Sequence, residues 1–432
     1  MSASLRTLAL AALLSAAVTA PAVAGESMDF VLGRALFERL WVPAPSSTKA
    51  ADGLGPLFNA RACATCHRDA GQTPVALEPG ELPAGASLAL RVGDVRAGKL
   101  VPHPLLGEQV QTAAGTGLAA EGRLLLSYDL QTIALADGTR VELRRPRFAI
   151  ANDDGRAAAV DWLSPRLAQD LHGIGLLERI PFSRLADLAD PDDLDGDGIS
   201  GAVVMSTYED ADIHPGRFGW KAREPDLEHQ ISGAFHLDLG LSTLVHPEAW
   251  GDCTAAQTTC RAAPPGAPAG ETEVSGQTVE LIAQYLRALP APQPGATPSG
   301  DAKTGAAVFA RIGCGACHTE SQPSLDAAGK EVEIAPYTDL LLHDMGDGLA
   351  DLADDGSVSP APDARDWRTA PLWGLGQRAA KGPAANLVHD GRARSILEAI
   401  LWHDGEAARA GRAAAQLPAA DRDALIAFLE SL

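Results

Sequence analysis

One five-residue pattern occurs twice, as Cys63-Ala64-Thr65-Cys66-His67 and Cys314-Gly315-Ala316-Cys317-His318. Two thiols three positions apart on a helical turn can each form a thioether to one edge of a porphyrin. The adjacent imidazole then reaches the iron as proximal ligand. With six Cys and eleven His in 432 residues, such a pattern is expected by chance about 0.002 times per chain. The chain must therefore fold around two covalently bound c-type haems. Cys63 and Cys66 anchor the first and His67 ligates its iron; Cys314, Cys317 and His318 do the same for the second. A redox dithiol does not explain the His after each pair, and no thioredoxin-like strand precedes either. A zinc site pooling the four thiols is weaker still.

The chain's start agrees with that chemistry. Arg6 is the only charge in the first 25 residues, 8–18 is almost wholly apolar, and Ala22-Val23-Ala24 precedes Gly25. This reads as an export signal, residues 1–24, cleaved after Ala24 to release the protein into the periplasm. The apolar run is too short for a membrane span, and no later run approaches 18 residues, so no membrane insertion of the mature chain is expected. Lys plus Arg number 35 against 56 acidic residues, a formal charge of −21. Losing Arg6 leaves 34 against 56, or −22. That sign disfavours nucleic acid. It suits a small basic periplasmic electron donor, a cytochrome or a copper protein. In an oxidising compartment Cys253 and Cys260, seven positions apart in a Thr/Ala/Pro-rich loop, are expected to form a disulfide.

A repeat surrounds the motifs. Gly33-Arg-Ala-Leu-Phe precedes the first and Gly305-Ala-Ala-Val-Phe the second, each with an apolar residue and Phe at +3 and +4. Helical spacing also marks 278–289 and 422–432. The economical reading is one module used twice. The expected fold is mainly α: an N-terminal cytochrome-c-like haem domain at 25–290, a Pro/Gly/Ala linker at 291–300, and a C-terminal one at 301–432. Alternating segments and Asp137-Gly138 between Ile133-Ala-Leu and Val141-Glu-Leu predict a small antiparallel β insertion at about 86–150 in the N-terminal domain. It either covers a haem edge or is a surface hairpin.

Each iron's sixth ligand separates the functions. A His or Met there makes an electron carrier, and an open site lets peroxide bind. The mature chain has only Met28, Met205 and Met345. Among the nine further histidines, His343 (in His-Asp-Met-Gly), His389 (in His-Asp-Gly-Arg) and His403 (after Trp402) stand in pointed contexts. Separately, Asp193, Asp195 and Asp197 alternate ahead of Gly198, like the first half of a calcium loop. The closing Glu is absent, since position 204 is Val. One calcium ion is the expected occupant, against an acidic turn that caps itself.

The block from Asp366-Trp-Arg-Thr-Ala-Pro-Leu-Trp-Gly-Leu-Gly to Leu387-Val-His-Asp-Gly-Arg-Ala-Arg-Ser-Ile-Leu-Glu-Ala-Ile-Leu-Trp-His resembles the dihaem oxidoreductases labelled thiol oxidoreductase-like. These are similar to bacterial dihaem cytochrome c peroxidases and to MauG. Gly55-Pro-Leu-Phe-Asn-Ala-Arg-Ala-Cys, Gly173-Ile-Gly-Leu-Leu-Glu and Gly216-Arg-Phe-Gly-Trp-Lys-Ala, followed by Gln230, extend the likeness over nearly the whole mature chain. The resemblance implies a C-terminal haem that takes electrons. Its distal ligand would be His403, where the relatives carry a Met, or else Met345. It implies a peroxide site at the N-terminal haem, with His103 or His172 as its sometime distal ligand. It suggests Trp220 as inter-haem relay; Glu178 is the candidate acid–base group. The implied activity is hydrogen peroxide reduction. The alternatives are a non-enzymatic electron-transfer cytochrome and MauG-like oxidation of a protein or thiol substrate.

Overall fold

The computed structural model describes residues 27–152, 159–207, 213–295 and 300–432. The export signal and part of the 291–300 linker lie outside them. Two helix pairs carry the repeat. Helix Met28–Phe37 packs on Gly276–Arg287, and helix Gly300–Ile312 packs on Ala419–Glu430. Ser27 and Ser275 cap two of these helices through side-chain oxygens that accept the Phe30 and Thr278 N–H groups. Val279, Ile282, Ala283 and Leu286 then bury one stripe of Gly276–Arg287.

The repeated Gly and Phe explain themselves at these crossings. A Cβ on Gly33 would lie 2.8 Å from Tyr285 Cβ and 2.9 Å from the Leu281 carbonyl carbon. One on Gly305 would lie 2.6 Å from the Ala424 carbonyl carbon and 2.7 Å from Phe428 Cβ. Only hydrogen fits at either crossing. Four residues on, Phe37 lies 5.5 Å from Tyr285 and 6.4 Å from His67, centre to centre. Phe309 lies 5.4 Å from Phe428 and 6.5 Å from His318. Each crossing therefore sets an aromatic ring beside a motif histidine.

The expectation of a mainly α fold with one β insertion is corrected. The chain is mixed α/β, 30% helix and 21% strand, with seven separate sheets spread along the described residues. Most strands are two to four residues long and outside 86–150, as in Gln322–Leu325 with Glu331–Ile334 and Leu342–Asp344 with Asp366–Arg368. Runs that short carry no measurable alternation. Some partners are also remote: Trp162–Leu167 pairs antiparallel with Leu88–Arg96.

The longest strands, Arg123–Ala134 and Arg140–Ala151, form the hairpin that Asp137-Gly138 signalled. Gly138 takes φ 84°, and the Asp137 carboxylate accepts the Thr139 N–H at 2.9 Å. Leu124, Leu126, Phe148 and Ile150 bury the base of the hairpin in a core with Leu90 and Leu163. Leu143, with Ile133 and Val141, joins a second core built from Val308, Phe309, Trp402 and Phe428. At the tip Asp137 pairs with Arg422 at 2.9 Å. The hairpin thus ties the N-terminal half to the C-terminal helices. Cys253 and Cys260 are disulfide-bonded, as expected.

Candidate functional site

Cys63–Cys66 form one helical turn, and Cys314–Ala316 one 3-10 turn. None of the four motif thiols is in a disulfide. His67 donates through Nδ1 to the Gln169 carbonyl at 2.8 Å, and His318 through Nδ1 to the Tyr337 carbonyl at 3.0 Å. Each bond fixes the tautomer that leaves Nε2 with a free lone pair. Burial lowers the pKa of both rings to about 4, so both are neutral, as a metal ligand must be.

Of the expected distal residues, His403 lies beside a motif histidine. Its ring centre is 6.4 Å from that of His318, and its Nδ1 donates to the Ala399 carbonyl at 2.8 Å. Met345 sits ahead of the short helix Gly346–Leu349, partly buried against the C-terminal core. His103 is buried in a tight loop, where its Nδ1 accepts the Leu105 and Leu106 N–H groups at 3.3 and 3.2 Å. His172 is half-buried with Nδ1 2.7 Å from Asp170 Oδ1, a bond that raises its pKa. Glu178 is committed to Arg287, with 2.6 and 2.9 Å bonds to Nε and Nη2, and to the Leu227 N–H at 3.1 Å.

His343 lies between two carboxylates. Its Nε2 is 2.9 Å from Asp339 Oδ2, its Nδ1 2.7 Å from Glu406 Oε2, and Cys317 Sγ is 3.6 Å away. Burial works against charging the ring, but these hydrogen bonds outweigh it and push its pKa up to about 12. Of the acidic loop, Asp190, Asp193 and Asp195 bring carboxylate oxygens within 4.8 Å of one another. Asp197 stands apart from that set, and its carboxylate accepts the Ile199 N–H at 2.9 Å.

Trp220 meets His389 where the two halves join. It is buried, donates Nε1–H to the Leu167 carbonyl at 2.8 Å, and contacts His389 edge-on at 6.3 Å. His389 in turn stacks on Trp367 at 3.5 Å. Sequence reading missed that these two residues correspond to one another. Phe218 pairs with Glu224, and Leu387 with Ala393, each closing a loop that leads to a helix cap, Asp226 or Ser395, two residues later. Gly219 and Val388 take φ 74° and 71° at the same place in each loop. Trp220 and His389 are thus equivalent positions. The bonds around them are reciprocal: Leu167 N–H to the His389 carbonyl at 2.8 Å, and Arg368 N–H to the Trp220 carbonyl at 2.9 Å. Leu167 and Arg368 are also equivalent, each six residues before a left-handed glycine, Gly173 or Gly374, that starts a short helix. This reciprocity is the signature of a two-fold contact between two copies of one unit. The equal spacings in the two halves were the signal that could have revealed it.

Counting on from the caps, the eighth residue after Ser395 is His403, and the eighth after Asp226 is Ala234. Helix Leu227–Leu239 continues through Ala234, whereas its counterpart Ile396–Leu401 ends before His403.

Fold and site together define a protein of two related units, each presenting a Cys-x-x-Cys-His motif with a partly buried, neutral, oriented histidine. The family described as "Di-haem oxidoreductase, putative peroxidase" matches residues 98–432, and the chain belongs to it. The first motif precedes the matched stretch. No curated protein matches the chain. Among solved structures, Kuenenia stuttgartiensis hydrazine synthase pressurized with 20 bar xenon is 12% identical, covering 99% of this chain and 100% of that one. Its TM-score of 0.38 is too low to carry an argument. No helix of the described residues is long and apolar enough to cross a membrane.

Proposed function

We propose that the chain is an exported dihaem c-type oxidoreductase that reduces hydrogen peroxide at its first haem and takes electrons through its second. The reading rests on one asymmetry: His403 beside His318, and Ala234 at the matching position of the first unit. His318 and His403, with ring centres 6.4 Å apart, are the two imidazoles that would hold the second haem. Alanine has no lone pair to offer, so Ala234 would supply no such second ligand to the first haem.

The residues present fit the haems. Burial pushes the Cys63, Cys66 and Cys314 thiols up to about 12, with Asp238 adding to the first two. An activated redox dithiol does the reverse. Thioether formation removes these protons altogether. When bound, the two haems supply one-electron storage and, at an iron with a free axial position, a place for peroxide. The chain supplies orientation. The Gln169 and Tyr337 carbonyls hold the proximal protons at Nδ1, Phe37 and Phe309 pack beside the rings, and Trp220 joins the two halves. The duplicated elements support reading 25–290 and 301–432 as two haem domains. A charge of −21 favours a small basic periplasmic donor.

The test is electron paramagnetic resonance of the haem-loaded protein poised half-reduced, with and without peroxide. A high-spin ferric signal that vanishes on peroxide addition supports the reading. Low-spin signals alone, unchanged by peroxide, overturn it and leave an electron carrier with both axial positions filled.

A further inference from the structure

We propose that Arg368 is a single buried cation that sets the reduction potentials of both haems. The inference rests on the dihaem reading above. Arg368 is 5% exposed. Its guanidinium donates from Nε to the Gly219 carbonyl at 2.9 Å, from Nη1 to the Thr369 carbonyl at 3.2 Å, and from Nη2 to Gln169 Oε1 at 2.7 Å. Every acceptor is neutral, and among the described residues no carboxylate is hydrogen-bonded to it; the Asp339 charge reaches it only through space. A buried charge without a directly bonded counter-ion is expensive, and proteins normally pair it or remove it. Here it is kept, at a position whose equivalent in the other unit is Leu167.

Its partners lead to both irons. Gln169 accepts from Arg368 through its side chain and from His67 through its main-chain carbonyl at 2.8 Å. On the other side, the Thr369 carbonyl that Arg368 holds also accepts the Thr338 hydroxyl at 2.7 Å. Thr338 directly follows Tyr337, whose carbonyl accepts the His318 Nδ1–H at 3.0 Å. One guanidinium thus stands behind the hydrogen bond of each proximal histidine. A fixed positive charge in low dielectric favours the reduced, less positive state of an iron nearby. Arg368 raises both potentials, and acts through Gln169 and Thr369 as a positioning residue.

The experiment is a potentiometric titration of haem-loaded protein, after the mass of the denatured chain has counted covalent haems. Arg368→Gln is expected to lower both midpoints by at least a tenfold change in the redox equilibrium, which is 59 mV for one electron. Arg368→Lys, which keeps the charge but loses the fork, is expected to restore most of the shift. Gln169→Glu places a carboxylate against Nη2 with the arginine intact and is expected to lower both midpoints too; it decides the matter if Arg368→Gln does not fold. With two haems bound, a shift confined to one midpoint, or to neither, overturns the proposal. A wild-type chain with fewer than two covalent haems instead overturns the dihaem reading.

Discussion

Replacing Gly305 by alanine inverts a general rule. Alanine inside a helix is normally about 1 kcal/mol better than glycine. Here the new methyl would sit 2.6 Å from the Ala424 carbonyl carbon and 2.7 Å from Phe428 Cβ, on the crossing of Gly300–Ile312 with Ala419–Glu430. The nearest obstacle is backbone, which cannot swing aside, so the helices must part by a sizeable fraction of an ångström. Overpacking of this kind costs about 1–3 kcal/mol. Set against the helix gain, a net loss of up to about 2 kcal/mol is expected, in place of a gain of about 1 kcal/mol. Urea unfolding of the haem-loaded protein, followed by far-ultraviolet circular dichroism, measures it. Ala307, two residues on and exposed, is the control; Ala307→Gly should cost about 1 kcal/mol from propensity alone. If Gly305→Ala is stabilising by the about 1 kcal/mol that helix propensity alone gives, while the control behaves, the helices do not cross where Gly305 places them. The repeated glycine then marks no crossing, at Gly33 or at Gly305.

Glu178→Gln removes the charge from the two bonds Arg287 makes to Glu178, leaving its 2.6 Å bond to Glu228, and should lower stability by about 1–3 kcal/mol, read from the urea midpoint. An unchanged spin state in that variant would agree with a structural carboxylate; a lost high-spin signal would make it part of the site. Opening the Cys253–Cys260 bridge by a double Ser substitution frees a short loop and should cost about 2–3 kcal/mol. His343 predicts a pH dependence. The hydrogen bonds to the Asp339 and Glu406 carboxylates hold its folded pKa above the unfolded value of about 6.5. Its contribution is therefore complete below about pH 6.5 and falls as pH rises toward the folded value, by at most about 1.4 kcal/mol per pH unit. The gap in urea midpoint between wild type and His343→Gln should narrow from pH 6 to pH 9; a gap that widens refutes the charged-ring assignment.

What could be read in advance was local. The Cys-x-x-Cys-His turns, the Gly and Phe of the repeat, the Asp137-Gly138 hairpin and the Cys253–Cys260 pair each depend on a few adjacent residues. The sheets were hidden for the opposite reason. Trp162–Leu167 pairs with a strand some seventy positions earlier, and Leu342–Asp344 is three residues long, so neither leaves a period in the chain. The acceptors of the proximal histidines were invisible too, because Gln169 and Tyr337 act through main-chain carbonyls that any residue possesses. Arg368 looked like one charged residue in a recognisable block. Only its burial among neutral acceptors distinguishes it from a surface arginine.

The duplication makes the differences between the halves informative. Two identical units would hold two irons at one potential, with no internal gradient for an electron to follow. Three of the divergences between matched positions bear on this: Trp220 against His389, Leu167 against Arg368, and Ala234 against His403. The first two pairs lie where the halves meet, around bonds that are otherwise reciprocal. On the proposed reading, the third would decide whether the second haem, and not the first, gains a second protein ligand. A cation held between the units would move both potentials in the same direction, so it would not create the difference between them. That difference would then fall to His403, which has a lone pair where Ala234 has none. His403→Ala should therefore bring the second haem toward the first in spin state and potential, whereas Arg368→Gln should shift the pair and preserve the gap. Spectra and midpoints of the two variants measured side by side separate these effects, and a gap that survives the loss of His403 refutes the assignment.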